Sequence, residues 1–302
     1  MTATPGLRSY YWGEERFIQN FGDALTPLIL RGLGYHAVSC KEHQSAVINP
    51  RQCLLVIGSL LFPLNLESLA GPIDVWGCGW RGQALSPELH RRIRFHAVRG
   101  PLTIAGLGLA SDLPVGDPAL LLPHFFPKPA RQHGRILIVP HIDRVLQMSA
   151  RQRCRMTGCN EFLSTRVIGS LTEFNRRSVR PLLQSIQKWS TLGIQTTSLT
   201  HAIKRIAGAH FVLSGSLHAA IVAQAYGVPW AAYDGGYVNA PAKWQDWAAY
   251  LGVKLAFAQN LTEGHQWWEQ YGHQGHLRSL TPLLRAFPYP SLQSKELMQA
   301  LT

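Results

Sequence analysis

His218 is, by type and surroundings, the residue of this chain best suited to acid–base chemistry. It sits in GAHFVLSGSLHAAIVAQAYGVPWAAYD, residues 208–234. Phe211-Val212-Leu213 reads as a buried strand, Ser214-Gly215-Ser216 as a tight turn and cap, and 217–226 as an apolar helix that ends at Gly227. His218 then falls in the helix's first turn, beside Leu217. In a doubly wound α/β domain that turn lies at the carboxyl edge of the sheet. Unpaired backbone N–H groups and the positive end of the helix dipole attract anions there. An imidazole in that position can bind a phosphorylated ligand and hand it a proton.

Four other segments put polar side chains where such a fold exposes them. Asn20-Phe21-Gly22-Asp23 combines a glycine, which permits close backbone approach, with two residues able to cap a following helix. Arg99 precedes Gly100-Pro101 at a strand end, where its guanidinium either forks onto phosphate or carboxylate or enters a structural ion pair. Pro140-His141-Ile142-Asp143 follows another strand, and its histidine and aspartate at i and i+2 share one loop face. Lys243 opens a later helix, Lys243-Trp244-Gln245-Asp246-Trp247, in which Trp247 reads as core. Gly116-Asp117-Pro118 reads as a turn.

The elements that must hold these residues form two α/β units. The first, residues 1–124, has expected strands at 8–12, 54–57, 74–77, 95–98 and near Val115, with helices at 22–33 and 101–108. A proline-rich, polar stretch, 125–134, reads as a linker. The second unit, 135–275, has expected strands at 136–139, 165–168, 196–198, 211–213 and 228–232. Past residue 260 no strand is expected, and 276–302 is helical.

A chain of 302 residues, 46% hydrophobic, can bury one large or two medium cores, so a globular protein is expected. No apolar run reaches the roughly 18–20 residues of a membrane helix, and MTATPGLRSYYW has no basic region followed by an apolar core, so a cytoplasmic location is expected. The five cysteines, at 40, 53, 78, 154 and 159, are odd in number and scattered, and read as reduced thiols. No His-Glu-x-x-His, paired Cys-x-x-Cys or acidic trio occurs, so no metal and no cofactor is expected. The net charge of +12 concentrates in 128–180, where eleven Lys or Arg face three acids. Such a face suits an anionic membrane surface, with the protein at most peripheral, or a phosphorylated substrate. It lacks the aromatic interleaving of a nucleic-acid surface, and no nucleic acid is expected.

Asn20-Phe21-Gly22-Asp23, Val98-Arg99-Gly100-Pro101-Leu102-Thr103, Gly116-Asp117-Pro118-Ala119, Pro140-His141 and Ser214-Gly215-Ser216-Leu217-His218-Ala219 follow one another in the order seen in polysaccharide pyruvyl transferases. Over residues 9–252 the chain resembles that family, most of all its bacterial exopolysaccharide ketal-forming members. The resemblance implies two Rossmann-like domains in a glycosyltransferase-B-like fold, with a helical C-terminal segment. It also implies transfer of the pyruvyl group of phosphoenolpyruvate, a co-substrate, onto the hydroxyls of a sugar, either an oligosaccharide or a lipid-linked one. On that basis His218 is the expected general acid, and His141 or Asp143 the base toward the acceptor. The donor side is Arg99, Ser214, Gly215, Ser216, Leu217 and Lys243; Asn20, Gly22 and Asp23 line the acceptor side. Many members carry arginine in a Ser-x-Arg-Leu-His pattern where this chain has Ser216, so Arg99, Lys243 or a backbone anion nest must stand in for that cation. Two other readings remain open at this point: a nucleotide-sugar glycosyltransferase of the same architecture, and a non-catalytic binder of anionic polymer.

Overall fold

The computed structural model describes residues 4–12, 18–40, 47–48, 52–144, 147–168 and 197–301. Residues 169–180 of the basic window and the first residue of the strand expected at 196–198 lie outside these. The strands are β1 (Gly6–Ser9), β2 (Ile18–Asn20), β3 (His36–Ser39), β4 (Val47–Ile48), β5 (Cys53–Leu55), β6 (Ile73–Trp76), β7 (Ile93–Ala97), β8 (Ile136–Val139), β9 (Glu161–Phe162), β10 (Arg166–Ile168), β11 (Thr197–Ser198), β12 (Phe211–Ser214), β13 (Trp230–Tyr233) and β14 (Phe257–Ala258).

Apolar runs flanked by turn residues make the central strands. β5, β6, β12 and β13 are buried at every position, as expected of strands covered on both faces. They lie in two parallel sheets, one ordered β3-β1-β5-β6-β7 with β4 also on β1, the other β14-β13-β12-β8-β9. Helices cover them by the usual periodicity: in Leu199–Ala207, capped by Ser198, the buried residues are Leu199, Ala202, Ile203, Ile206 and Ala207. The helix Leu217–Ala225 is buried along most of its length because it runs between its sheet and the 3-10 turn Pro118–Leu121. The α/β class with parallel sheets and helices is thus as expected.

Three departures bear on the site. The strand expected at 165–168 is β10, but it leaves the second sheet and pairs antiparallel with β2, which sequence reading missed; Arg166 lies opposite Asn20 and Ile168 opposite Ile18. Phe21 N–H also donates to Thr165 O (2.9 Å), so an early segment is fastened to a late one. The cysteines are not all reduced. Cys40 and Cys53, both flanking Ser9 of β1, are joined as a disulfide, while Cys78, Cys154 and Cys159 are free. With β3 unrecognised, nothing in the sequence placed Cys40 beside β5. Finally, the C-terminal helices Thr281–Arg285 and Leu292–Leu301 return to the first sheet. There Trp76 Nε1 donates to Leu283 O (2.7 Å), Tyr289 O–H donates to Asp74, and the Phe287 ring packs tilted against Trp76, centroids 4.7 Å apart.

Candidate active site

A cavity of about 320 Å³ opens between the carboxyl ends of the two sheets. One wall, from residues before 82, holds Asn20, Asp23, Gly58, Ser59, Phe62 and Arg81. The other holds His141, Asp143, Ser216, Leu217, His218 and Lys243. Trp12, Leu64 and Asn65 line it as well. Burying Leu217 and seating the 217–225 helix against the Pro118–Leu121 turn brings His218 next to Asp117. Asp117 caps that turn through Ala119 N–H (3.0 Å), and its other carboxylate oxygen lies 3.4 Å from His218 Nε2, close enough for ion pairing but without hydrogen-bond geometry. Gly22 packs against the opposite edge of the ring: a Cβ there would come within 2.2 Å of His218 Nδ1.

Asp23 faces the same space. It is not a helix cap, since the following helix, Leu25–Gly32, starts from Ala24 with no side-chain cap bond. Instead it accepts from Asn20 Nδ2 (2.7 Å). Burial raises its pKa above the usual carboxylate value, partly offset by the Asn20 bond and by the charges of His218 and Lys243.

Lys243 is buried rather than solvated, and its ammonium donates to Asn239 Oδ1 (3.1 Å). Burial, then repulsion from Arg99 and Arg81, lower its pKa to about 7 against the pull of Asp23 and Asp143. His141 is lowered to about 4, first by burial and next by Lys243, with Asp143 opposing. It is therefore neutral at pH 7. Its Nδ1 faces Asp143 twice, 3.3 Å from the backbone N–H and 3.2 Å from Oδ2.

Of the residues singled out in the sequence, the cavity gathers Asn20, Asp23, His141, Asp143, Ser216, Leu217, His218 and Lys243, with Gly22 supporting His218. Ser214 and Gly215 do not line it. Ser214 Oγ is used locally, accepting from Ser216 N–H and donating to Ser216 O, and Gly215 lies against the His141 backbone, where a Cβ would stand 3.0 Å from the amide nitrogen. Arg99 does not point into the cleft either. It is fully buried behind the wall, where Nε pairs with Asp246 (3.2 Å) and Nη1 donates to Ser59 Oγ (2.8 Å).

Sequence reading missed three contributors. Asp117 was legible only as a turn residue, and it is one; its second role comes from the helix packed on that turn. Arg81, whose guanidinium lies 4.9 Å over the Phe62 ring, sits in a loop with no pattern. Ser59 lies in the bend after β5, next to Gly58, whose φ of 112° a side chain would resist. No group of three His, Cys, Asp or Glu among the described residues is arranged to hold a metal ion.

Parallel sheets meeting at a cleft lined by a carboxylate-flanked histidine, Lys243 and Arg81 mark an α/β protein whose polar side chains gather at the carboxyl ends of its strands. The chain belongs to the polysaccharide pyruvyl transferase family, whose profile matches residues 11–237. It is also similar to the succinoglycan biosynthesis protein ExoV of Rhizobium meliloti (strain 1021), at 26% identity over 254 residues. That match covers 82% of this chain and 66%, just under two thirds, of the relative's length.

Proposed function

We propose that this chain transfers the pyruvyl group of phosphoenolpyruvate onto two hydroxyls of a sugar in an exopolysaccharide repeat unit, forming a ketal and releasing phosphate. The observation that carries the reading is one cavity that holds a positioned histidine, His218, together with the cations Lys243 and Arg81, in a chain of this family. The ExoV relative's name, which places it in succinoglycan biosynthesis, supports an exopolysaccharide acceptor. The two sheets are read as two Rossmann-like domains of a glycosyltransferase-B-like fold, divided near residues 125–134. No helix among the described residues is long and apolar enough to cross a membrane. The basic window then serves at most a peripheral contact, at the inner face of the cytoplasmic membrane, with a lipid-linked acceptor.

The donor is a small trianion. Lys243 and Arg81 hold its charge in place of the arginine that many relatives carry where this chain has Ser216. His218 delivers a proton to the methylene carbon. The carbon that bears the phosphate becomes oxocarbenium-like and is attacked by a sugar hydroxyl, whose proton passes to His141 or Asp143. Cleavage of the C–O bond releases phosphate, and a second hydroxyl closes the ketal as its proton leaves with the phosphate. The proton held by His141 or Asp143 then passes to solvent, from which His218 is reprotonated, so donor and diol become ketal and hydrogen phosphate, the two diol protons balancing one gained by the methyl group and one carried by the phosphate. Asn20 and Asp23 face the acceptor.

The test is phosphate release from phosphoenolpyruvate by the purified protein, with and without a panel of galactosides, glucosides and mannosides, together with product mass. An acceptor-dependent gain of one pyruvate less one water is the expected result. No product with any sugar, combined with thermal protection by a nucleotide sugar and none by phosphoenolpyruvate, would hand the site to a glycosyltransferase reaction.

A further inference from the structure

Ser59 stands in the cavity wall on a loop held from several sides. Cys78 Sγ accepts from Leu60 N–H (3.3 Å) and donates to Gly58 O (3.1 Å), and Gly79 N–H donates to the same carbonyl (2.9 Å). Behind the wall Arg99 approaches through the space left by a missing side chain: a Cβ on Gly79 would lie 2.2 Å from its Cζ and Nη2. One guanidinium nitrogen pairs with Asp246 and another donates to Ser59 Oγ at 2.8 Å.

That donation decides what Ser59 can offer. A guanidinium carries only donors and does not titrate, so the serine oxygen is committed to accepting on its buried side. Its own hydrogen then points elsewhere, and no described residue takes it. The adjacent positive charge polarises the O–H and strengthens it as a donor. The field of Arg99 extends into the cavity, since after burial it is the largest influence depressing Lys243. An acceptor-only group, negatively charged, is what this hydroxyl fits best.

We infer that Ser59 binds the donor substrate by donating its hydroxyl hydrogen to an anionic oxygen, phosphoryl or carboxylate, and that Arg99 is the positioning residue that commits it to this role. The inference rests on the cavity being the donor site proposed above. It explains how a fully buried arginine serves an anion that it never touches.

Calorimetric titration of the full chain with phosphoenolpyruvate, inorganic phosphate and pyruvate tests it. Ser59→Ala is expected to bind phosphoenolpyruvate about tenfold more weakly, and Ser59→Thr close to wild type. A loss shared by phosphate but not pyruvate assigns the contact to a phosphoryl oxygen; the converse assigns it to the carboxylate. In an Arg99→Gln background, or in Arg99→Gln/Asp246→Asn should the first unfold, the Ser59→Ala penalty should shrink to about twofold or less, whereas a purely structural arginine would leave it unchanged. Equal binding of all three anions by Ser59→Ala and wild type overturns the inference, as does wild-type protein that binds none of them. Phosphate binding that weakens in Ser59→Ala, in a protein that turns over no sugar with phosphoenolpyruvate, would keep this assignment and remove the proposed reaction.

Discussion

Lys243 carries a charge that depends on what fills the cavity. With its pKa near 7 rather than 10.5, the amine is largely neutral between those values in the free protein. A trianion beside it reverses the balance, so donor binding at about pH 8.5 should draw in a proton. Titrations in buffers of unequal ionisation enthalpy would report that uptake, and Lys243→Arg, permanently charged, should abolish it. The same depressed pKa links to folding: the unfolded chain keeps a proton that the folded one has lost, so this group adds stability as pH rises from about 7 toward 10.5. His141 acts likewise at lower pH. Its contribution is complete above the ordinary 6.5 and is lost as pH falls toward about 4, which predicts a falling urea midpoint across that window. At His218, replacement by alanine should lower turnover by about 10²–10⁴ while phosphoenolpyruvate affinity changes by only a few fold, read from phosphate release beside calorimetry.

At the level of elements, the turn Asn20–Asp23 sets the histidine's place as firmly as the helix that bears it. Gly22→Ala adds one methyl group 2.2 Å from His218 Nδ1, so the ring must swing off Asp117. Turnover should fall at least tenfold, by the logic that misplacing a reacting group is expensive, while the melting temperature drops by only a few degrees. How much of this was readable in the sequence follows from the elements themselves. Ile136–Val139 and Phe211–Ser214 announce themselves by apolar runs, and the turn that follows each exposes His141 and His218. β3 and β2 are short and mixed in polarity, so no period marks them. Once β2 is missed, the partner of β10 is missed too, and with it the reason Asn20 and Asp23 face residues more than a hundred positions away. Arg99 shows the limit from the other side. A strand-end arginine was expected to fork onto the donor, with a structural ion pair as the alternative; the alternative holds, and its partner, Asp246, lies on the helix Pro241–Leu251, which only the packed structure brings to it.

Across the molecule, Asp246 ties the two walls together. It receives Arg99 Nε, Thr103 N–H (3.0 Å) and Thr103 O–H (2.8 Å), all from the first half of the chain. Asp246→Ala would leave a buried guanidinium without its counter-charge, and a loss of about 3–5 kcal/mol in urea unfolding is expected. The pairing of β2 with β10 has a consequence in time as well as in space. While the chain is being made, Ile18–Asn20 has no partner until Arg166–Ile168 has been synthesised, and Trp76 and Asp74 wait longer still for Leu283 and Tyr289. The first half of the chain therefore leaves the ribosome with one unpaired strand, β2, and a tryptophan of the first sheet still uncovered. The nascent protein is most prone to stick to its neighbours in the interval before the segment carrying Leu283 and Tyr289 arrives to cover it.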